Sequence, residues 1–239
     1  MIVSLSAQTI AVVHQLGASD LMLTPAGSTR ESPSDINVLV RDWLRQHANG
    51  RALIIGLRRD AHDMSDALLE DSRVRLALYP ACDIIETFAM YEAVGELLGK
   101  TDIAAAHIRQ TARALAEISG STFGLPRPGV IILAPGPAAR ALTGTGLPGD
   151  MIEIGGGEHL LELAGTACSS TVLEPWNWPA PQVVLNTRSE TAAPNLTPPG
   201  RVVELPDLMR KLADLELVEA AREVRAALFP ERADFQLLE

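Results

Sequence analysis

Cysteine is scarce: Cys82 and Cys168 are too few and too far apart to form a spaced metal site. One bridge between them would need an oxidising compartment, and two partly buried thiols are the favoured reading. No apolar run approaches the roughly 18 to 20 residues of a membrane span. No charged leader with an apolar core precedes the first strand-like segment. The product is therefore expected to be cytoplasmic as written, or periplasmic or extracellular if a leader has been removed. Positive charge is short as well, with 20 basic against 30 acidic residues and a formal charge of -10. That balance opposes attraction to phosphate backbones and anionic membranes, and so argues against a nucleic-acid partner and against membrane insertion. No serine sits in a nucleophile elbow and Cys168 has no evident base, so nucleophilic catalysis has no specific support.

What is present is enough apolar content, 47% of 239 residues, for one large or two small domains. Short apolar runs at Ile2 to Leu5, Leu21 to Leu23, Ala52 to Ile55, Val74 to Leu78, Val130 to Leu133, Met151 to Ile154 and Val183 to Leu185 read as strands. Helix spacing lies between them, as in Ile10, Val13, Leu16 and in Val38, Leu39, Trp43, Leu44, with Asp35 a candidate N-cap for the second. This alternation predicts an α/β fold with mainly parallel sheets. From about Asp83 to Ser119 the pattern is continuously helical apart from Gly95, Gly99 and the Lys100-Thr101-Asp102 step, as one long helix or two abutting ones. Three parts follow: an N-terminal lobe over 1–83, a bridging helix over 84–119 and a C-terminal lobe over 120–239. Thr191 to Gly200 reads as a proline-interrupted surface loop, and Leu208 to Leu228 as an amphipathic packing helix.

Several motifs look more informative than they are. Gly95-Glu96-Leu97-Leu98-Gly99-Lys100-Thr101 has three residues between its glycines where a phosphate loop has four, and it lies inside a helix. Gly144-Thr145-Gly146-Leu147-Pro148-Gly149 has dinucleotide spacing, yet it is expected about ten residues beyond the nearest strand, as a turn into another. Asp60, His62 and Asp63, and likewise Glu153, Glu158 and His159, put carboxylates near a histidine without metal-ligand spacing. Solvated loop or helix-end positions are the favoured reading for them. His14, His47 and His107 read as ordinary helix residues. No metal site, catalytic residue or cofactor is assigned.

Four stretches carry a resemblance. Ile2-Val3-Ser4-Leu5-Ser6-Ala7-Gln8-Thr9 is followed by a helix and then Leu16-Gly17-Ala18-Ser19-Asp20. Glu96-Leu97-Leu98-Gly99-Lys100 follows, then Gly156-Gly157-Glu158-His159-Leu160-Leu161-Glu162-Leu163-Ala164-Gly165. Last, Glu174 stands seven residues before Pro181-Gln182-Val183-Val184. Together they resemble the helical-backbone (class III) ABC-transporter substrate-binding proteins, the receptors for cobalamin and iron siderophores. The resemblance implies two Rossmann-like lobes bridged by a long helix, a ligand in the cleft between them, and docking on an ABC permease. Ala11 stands where that family often has a docking Glu, and the Pro-Asp before its third strand is absent; Glu174 retains the second docking position.

In open α/β sheets ligands gather beyond the carboxyl ends of the strands. That places Ser6, Gln8, Gly27 to Arg30, Arg58, Arg59, Tyr79, Pro135-Gly136, Gly155 to Gly157 and Asn186 to Arg188 at a binding edge. Recurring arginines there (Arg30, Arg58, Arg59, Arg188) either recognise an anion or are solvated loop residues. Trp176 and Trp178, two of only three tryptophans, could wall a flat macrocycle or serve core packing. The expected function is capture, without transformation, of a cobalamin-like, metal-chelate or other anionic small molecule, as transport receptor or cytoplasmic carrier. The alternatives are an enzyme using His62, Asp60 or Glu158, and a ligand-free docking subunit.

Overall fold

A computed structural model describes residues 1–23, 33–58, 64–80, 82–134, 141–143, 146–161, 169–171, 180–187 and 200–232. Two packing units emerge. The first comprises Met1–Ala81 with Ile85–Ala105, the second Cys82–Ile84 with Ala106–Glu239.

In the first unit, strands β1 (Ile2–Ser4), β2 (Ala52–Leu57) and β3 (Val74–Tyr79) form a parallel sheet in the order β1-β2-β3. Ser4 pairs with Ile55 and Leu57 with Tyr79 in register. Helix α1 (Ala7–Gln15) follows β1, helix α2 (Pro33–Gln46) precedes β2, and the short helix α3 (Asp66–Leu69) precedes β3. β2 is buried on both faces, as a central parallel strand must be. Ile36, Val40 and Leu44 recur every fourth residue along α2 and pack with Val3, Ala52, Ile54, Met64 and Leu68. Helix α4 (Ile84–Leu97) contributes Met90, Tyr91 and Val94 to the buried set. The Tyr91 hydroxyl donates to Gln15 Oε1 of α1.

The helical stretch over 84–119 is two helices, α4 and α5 (Thr101–Ser121). The break is a Schellman ending: Gly99 takes φ +65°, its N–H donates to Glu96 O at 3.2 Å, and the Lys100 N–H donates to Gly95 O at 2.7 Å. The phosphate-loop lookalike is thus a helix terminator. Its first glycine is needed for helix packing, because a Cβ on Gly95 would lie 2.6 Å from Ala104 Cβ.

The second unit is built on a mixed sheet in the order β7-β5-β4-β8-β9, where β4 is Gly129–Leu133, β5 Ala141–Thr143, β7 Ser169–Thr171, β8 Val183–Asn186 and β9 Arg201–Glu204. β4, β8 and β9 run parallel, β5 is antiparallel to both its neighbours, and the two-residue β6 (Glu158–His159) pairs with the start of β4. Helices α6 (Leu147–Ile154), α7 (Leu208–Ala213) and α8 (Leu217–Leu228) pack with one another. Lys211 of α7 pairs with Glu223 of α8, and Arg201 of β9 donates to the terminal carbonyls of α8, Ala227 and Leu228.

Four local expectations need correction. Met151 to Ile154, read as a strand, is the last half of α6: a four-residue apolar run cannot fix its own period, and Pro148 in the first turn starts a helix. Leu21 to Leu23 is a 3-10 turn (Ser19–Leu21) leading to a single parallel bridge between Met22 and Ile2. Asp35 lies inside α2, which begins at Pro33, and is not its N-cap. Leu208 to Leu228 is two helices, broken where Leu215 adopts φ +55° and the Glu216 N–H donates to Lys211 O at 2.8 Å.

Candidate functional site

The carboxyl edge of the β1-β2-β3 sheet gathers four of the residues singled out from sequence: Ser6, Gln8, Arg58 and Tyr79. The edge begins where β1 turns into α1. Ser6 is the N-cap of α1, its Oγ accepting the Thr9 N–H at 3.2 Å. The fully buried Thr9 lies with its Oγ1 2.9 Å from Ser6 Oγ and 3.5 Å from the Ile55 carbonyl. Ser4 Oγ donates to Ser6 O at 3.0 Å and also meets Thr9 Oγ1. These hydroxyls fix the turn against β2, and Gly56 lets the turn close, since a Cβ there would lie 2.6 Å from Leu5 Cδ1. Sequence reasoning missed Ser4 and Thr9; the signal available was Ser6 followed three residues later by a hydroxyl residue.

Gln8 is buried in the first turn of α1, which carries no acidic residue there to offset the positive end of its dipole. Arg58 follows the last residue of β2 and is exposed. Tyr79 ends β3 and is partly buried. Burial pushes its phenol above the ordinary range, against a smaller opposing pull from Arg75, and Glu96 adds to the rise. At neutral pH the group is therefore a protonated donor. A helix N-terminus, a guanidinium and a neutral phenol at one sheet edge offer donors and positive potential, which suits acceptor oxygens of an anion.

The carboxyl edge of the second sheet brings Leu133, Asn186 and Glu204 into register. Asn186 Nδ2 donates to both Glu204 oxygens, at 3.0 and 2.8 Å, and the buried Thr187 hydroxyl donates to Leu133 O at 2.7 Å. Glu204 was not foreseen, because its strand is short and largely exposed.

Gly155 to Gly157 do not belong to that edge. They precede β6, whose Glu158 pairs with Gly129, the first residue of β4, so they lie at the amino end of the sheet. They terminate α6, with Gly156 at φ +90° and the Gly157 N–H donating to Ile152 O at 2.8 Å. All three are closely packed: a Cβ would come within 2.9 Å of Val224 at Gly155, 2.7 Å of Thr122 at Gly156 and 2.8 Å of Ile152 at Gly157.

The carboxylate and histidine group around Glu153 also separates. Arg127 pairs with Glu153 and its Nε donates to Gly157 O at 3.1 Å, while His159 is buried with Nε2 3.3 Å from Leu142 O. No group of three His, Cys, Asp or Glu that could hold a metal occurs among the described residues. His14 Nδ1 lies 2.6 Å from Ser19 Oγ, His47 stacks on Trp43 at 4.3 Å, and burial lowers the pKa of His107. Contrary to the expected turn into another strand, Gly146 immediately precedes and Gly149 lies within α6 (Leu147–Ile154), the helix that follows the strand β5 (Ala141–Thr143), while Gly144 lies outside the described residues. That strand is antiparallel to its neighbours, however, and the Leu147 N–H at the head of α6 donates to Cys82 O at 2.8 Å. Asp150 of α6 in turn accepts the Ile84 N–H at 2.9 Å. This helix start is held by the chain itself.

Arg30, Arg59, Asp60, His62, Pro135-Gly136, Cys168, Glu174, Trp176, Trp178 and Arg188 lie outside the described residues.

No protein-family model and no curated protein matches the sequence. Solved structures do. The periplasmic heme binding protein HutB of Vibrio cholerae matches with a TM-score of 0.73 at 16% identity, covering 96% of this chain and 98% of that one. S. aureus IsdE, complexed with heme, matches at 0.71 and 12% identity over 95% and 98%. An ABC transporter substrate-binding protein from Listeria monocytogenes EGD-e matches at 0.69 and 14% identity over 96% and 98%. The chain has the α/β fold of class III ABC-transporter substrate-binding proteins. No helix among the described residues is long and apolar enough to cross a membrane.

Proposed function

We propose that this protein is a solute-binding protein that captures an anionic metal chelate of the haem or cobalamin kind without transforming it, as a transport receptor or a carrier. The observation that carries this reading is the fold, shared over 96% of this chain and 98% of a heme-binding neighbour. The donor-rich edge formed by α1, Arg58 and Tyr79 supports it: a chelate bearing carboxylates or phosphate finds there a guanidinium and a phenol at adjacent strand ends. A transport role adds an ABC permease as partner, with Glu174 as the residue to meet it.

The test is a thermal-shift titration of the wild type, Arg58→Ala and Tyr79→Phe with hemin, cyanocobalamin and a ferric siderophore. A ligand at a hundredfold excess over its dissociation constant stabilises the native state by about 2.7 kcal/mol, a readily measured shift. One of the three is expected to shift the wild type saturably. Arg58→Ala is expected to weaken that binding about tenfold or more, as loss of a charge-assisted hydrogen bond of about 1.5–3 kcal/mol requires. No saturable shift with any of the three refutes the ligand class; a shift that both variants retain in full refutes the edge.

A further inference from the structure

Asn49 and Gly50 occupy the connection between α2 and β2, on the surface of the first unit. Of the five asparagines in the chain, Asn49 alone precedes a glycine. Gly50 is fixed by packing: a Cβ there would lie 2.4 and 2.5 Å from the ring of Trp43 and 3.0 Å from His47 Cβ. Trp43 in turn packs partly buried against the core of α2 and β2. The same lack of a side chain means that no Cβ at residue 50 hinders approach to its amide nitrogen once the turn opens. The neighbouring Asn49 is exposed.

We propose that Asn49-Gly50 is a site of spontaneous deamidation, with water as the only co-reactant. The Gly50 nitrogen, having lost its proton to hydroxide, attacks Asn49 Cγ. The N–Cγ bond forms, the Cγ–Nδ2 bond breaks, and Nδ2 leaves as ammonia, giving a five-membered succinimide. Water then opens either ring carbonyl: one route regenerates the normal backbone with Asp at 49, the other gives isoaspartate with an extra methylene in the main chain. The Gly50 N–H donates to His47 O at 2.8 Å, so opening of the 47–50 turn precedes attack and holds the native rate below that of the unfolded chain. The product carboxylate stands just past the C-terminal end of α2, where negative charge is unfavourable, and the isoaspartate insertion displaces Gly50 from beneath Trp43.

The test incubates the native protein at pH 7.4 and pH 8.5 and maps it by peptide mass spectrometry with isoaspartate detection, beside Asn49→Gln and a urea-unfolded sample. The expected result is a gain of one mass unit at residue 49, part of it isoaspartate. The rate is expected to be faster at the higher pH, fastest in urea, and abolished in Asn49→Gln. The buried Asn37 and Asn186 serve as internal controls and are expected to stay intact in the native protein. An unmodified Asn49 in the native protein under conditions that convert it in urea overturns the proposal, as does equal conversion at Asn37 and Asn186.

Discussion

Gly156 and Gly124 both adopt left-handed backbone, at φ +90° and +78°, and both belong to the second unit. Replacing each with alanine separates backbone strain from packing. The left-handed conformation costs an L-residue about 1–2 kcal/mol. At Gly124 an added Cβ meets nothing within 4 Å, so Gly124→Ala is expected to cost only that. At Gly156 the Cβ would lie 2.7 Å from Thr122 Cβ, 2.8 Å from its Oγ1 and 2.9 Å from its Cγ2. Thr122 cannot simply rotate away, since its hydroxyl donates to Ser119 O at 2.8 Å and the residue is buried. Overpacking adds about 1–3 kcal/mol, for a total of about 2–5 kcal/mol. Urea unfolding followed by circular dichroism measures the difference, provided the slope of each transition is unchanged. Equal losses in the two variants would refute the claim that the glycine run at 155–157 is retained for packing.

Two further substitutions probe the first unit. Tyr91→Phe removes the hydroxyl that donates to Gln15 from a side chain 1% exposed, and a stability loss of about 1–3 kcal/mol is expected in urea unfolding; no loss contradicts a structural role for that bond. Asp71→Asn tests acid sensitivity: hydrogen bonds from Arg73 hold the Asp71 carboxyl at about 2, below its ordinary 3.8. The unfolded chain therefore binds the proton more readily, and the stabilisation is full above 3.8 and disappears as pH falls towards 2. The urea midpoints of wild type and Asp71→Asn should converge over that interval; a constant gap down to its lower end would contradict the assignment.

The elements legible in the sequence were apolar-rich strands, buried throughout in β4 and β8, nearly so in β2 and only partly in β3. β2, β3, β4 and β8 are apolar runs bounded by turns, and each lies within a residue or two of its expected place. Where two periods fit one short run, as at Met151 to Ile154, tertiary packing against α8 decides, and that information is not local. The same reason explains the glycines: Gly155 to Gly157 have the composition of a ligand loop, and only contacts with Thr122, Val224 and Ile152 reveal a packed helix end. Ser6 was legible as a strand-end residue but its capping of Thr9 was not drawn from the pattern. Glu204 required knowing that β9 pairs with β8.

Native mass spectrometry of the intact protein mixed with hemin, cyanocobalamin or a ferric siderophore tests the central claim most directly. The account predicts one ligand per chain for one of these probes, released on denaturation with its mass unchanged. A protein that stays without adduct in all three mixtures, or one that returns a chemically altered ligand, would contradict it.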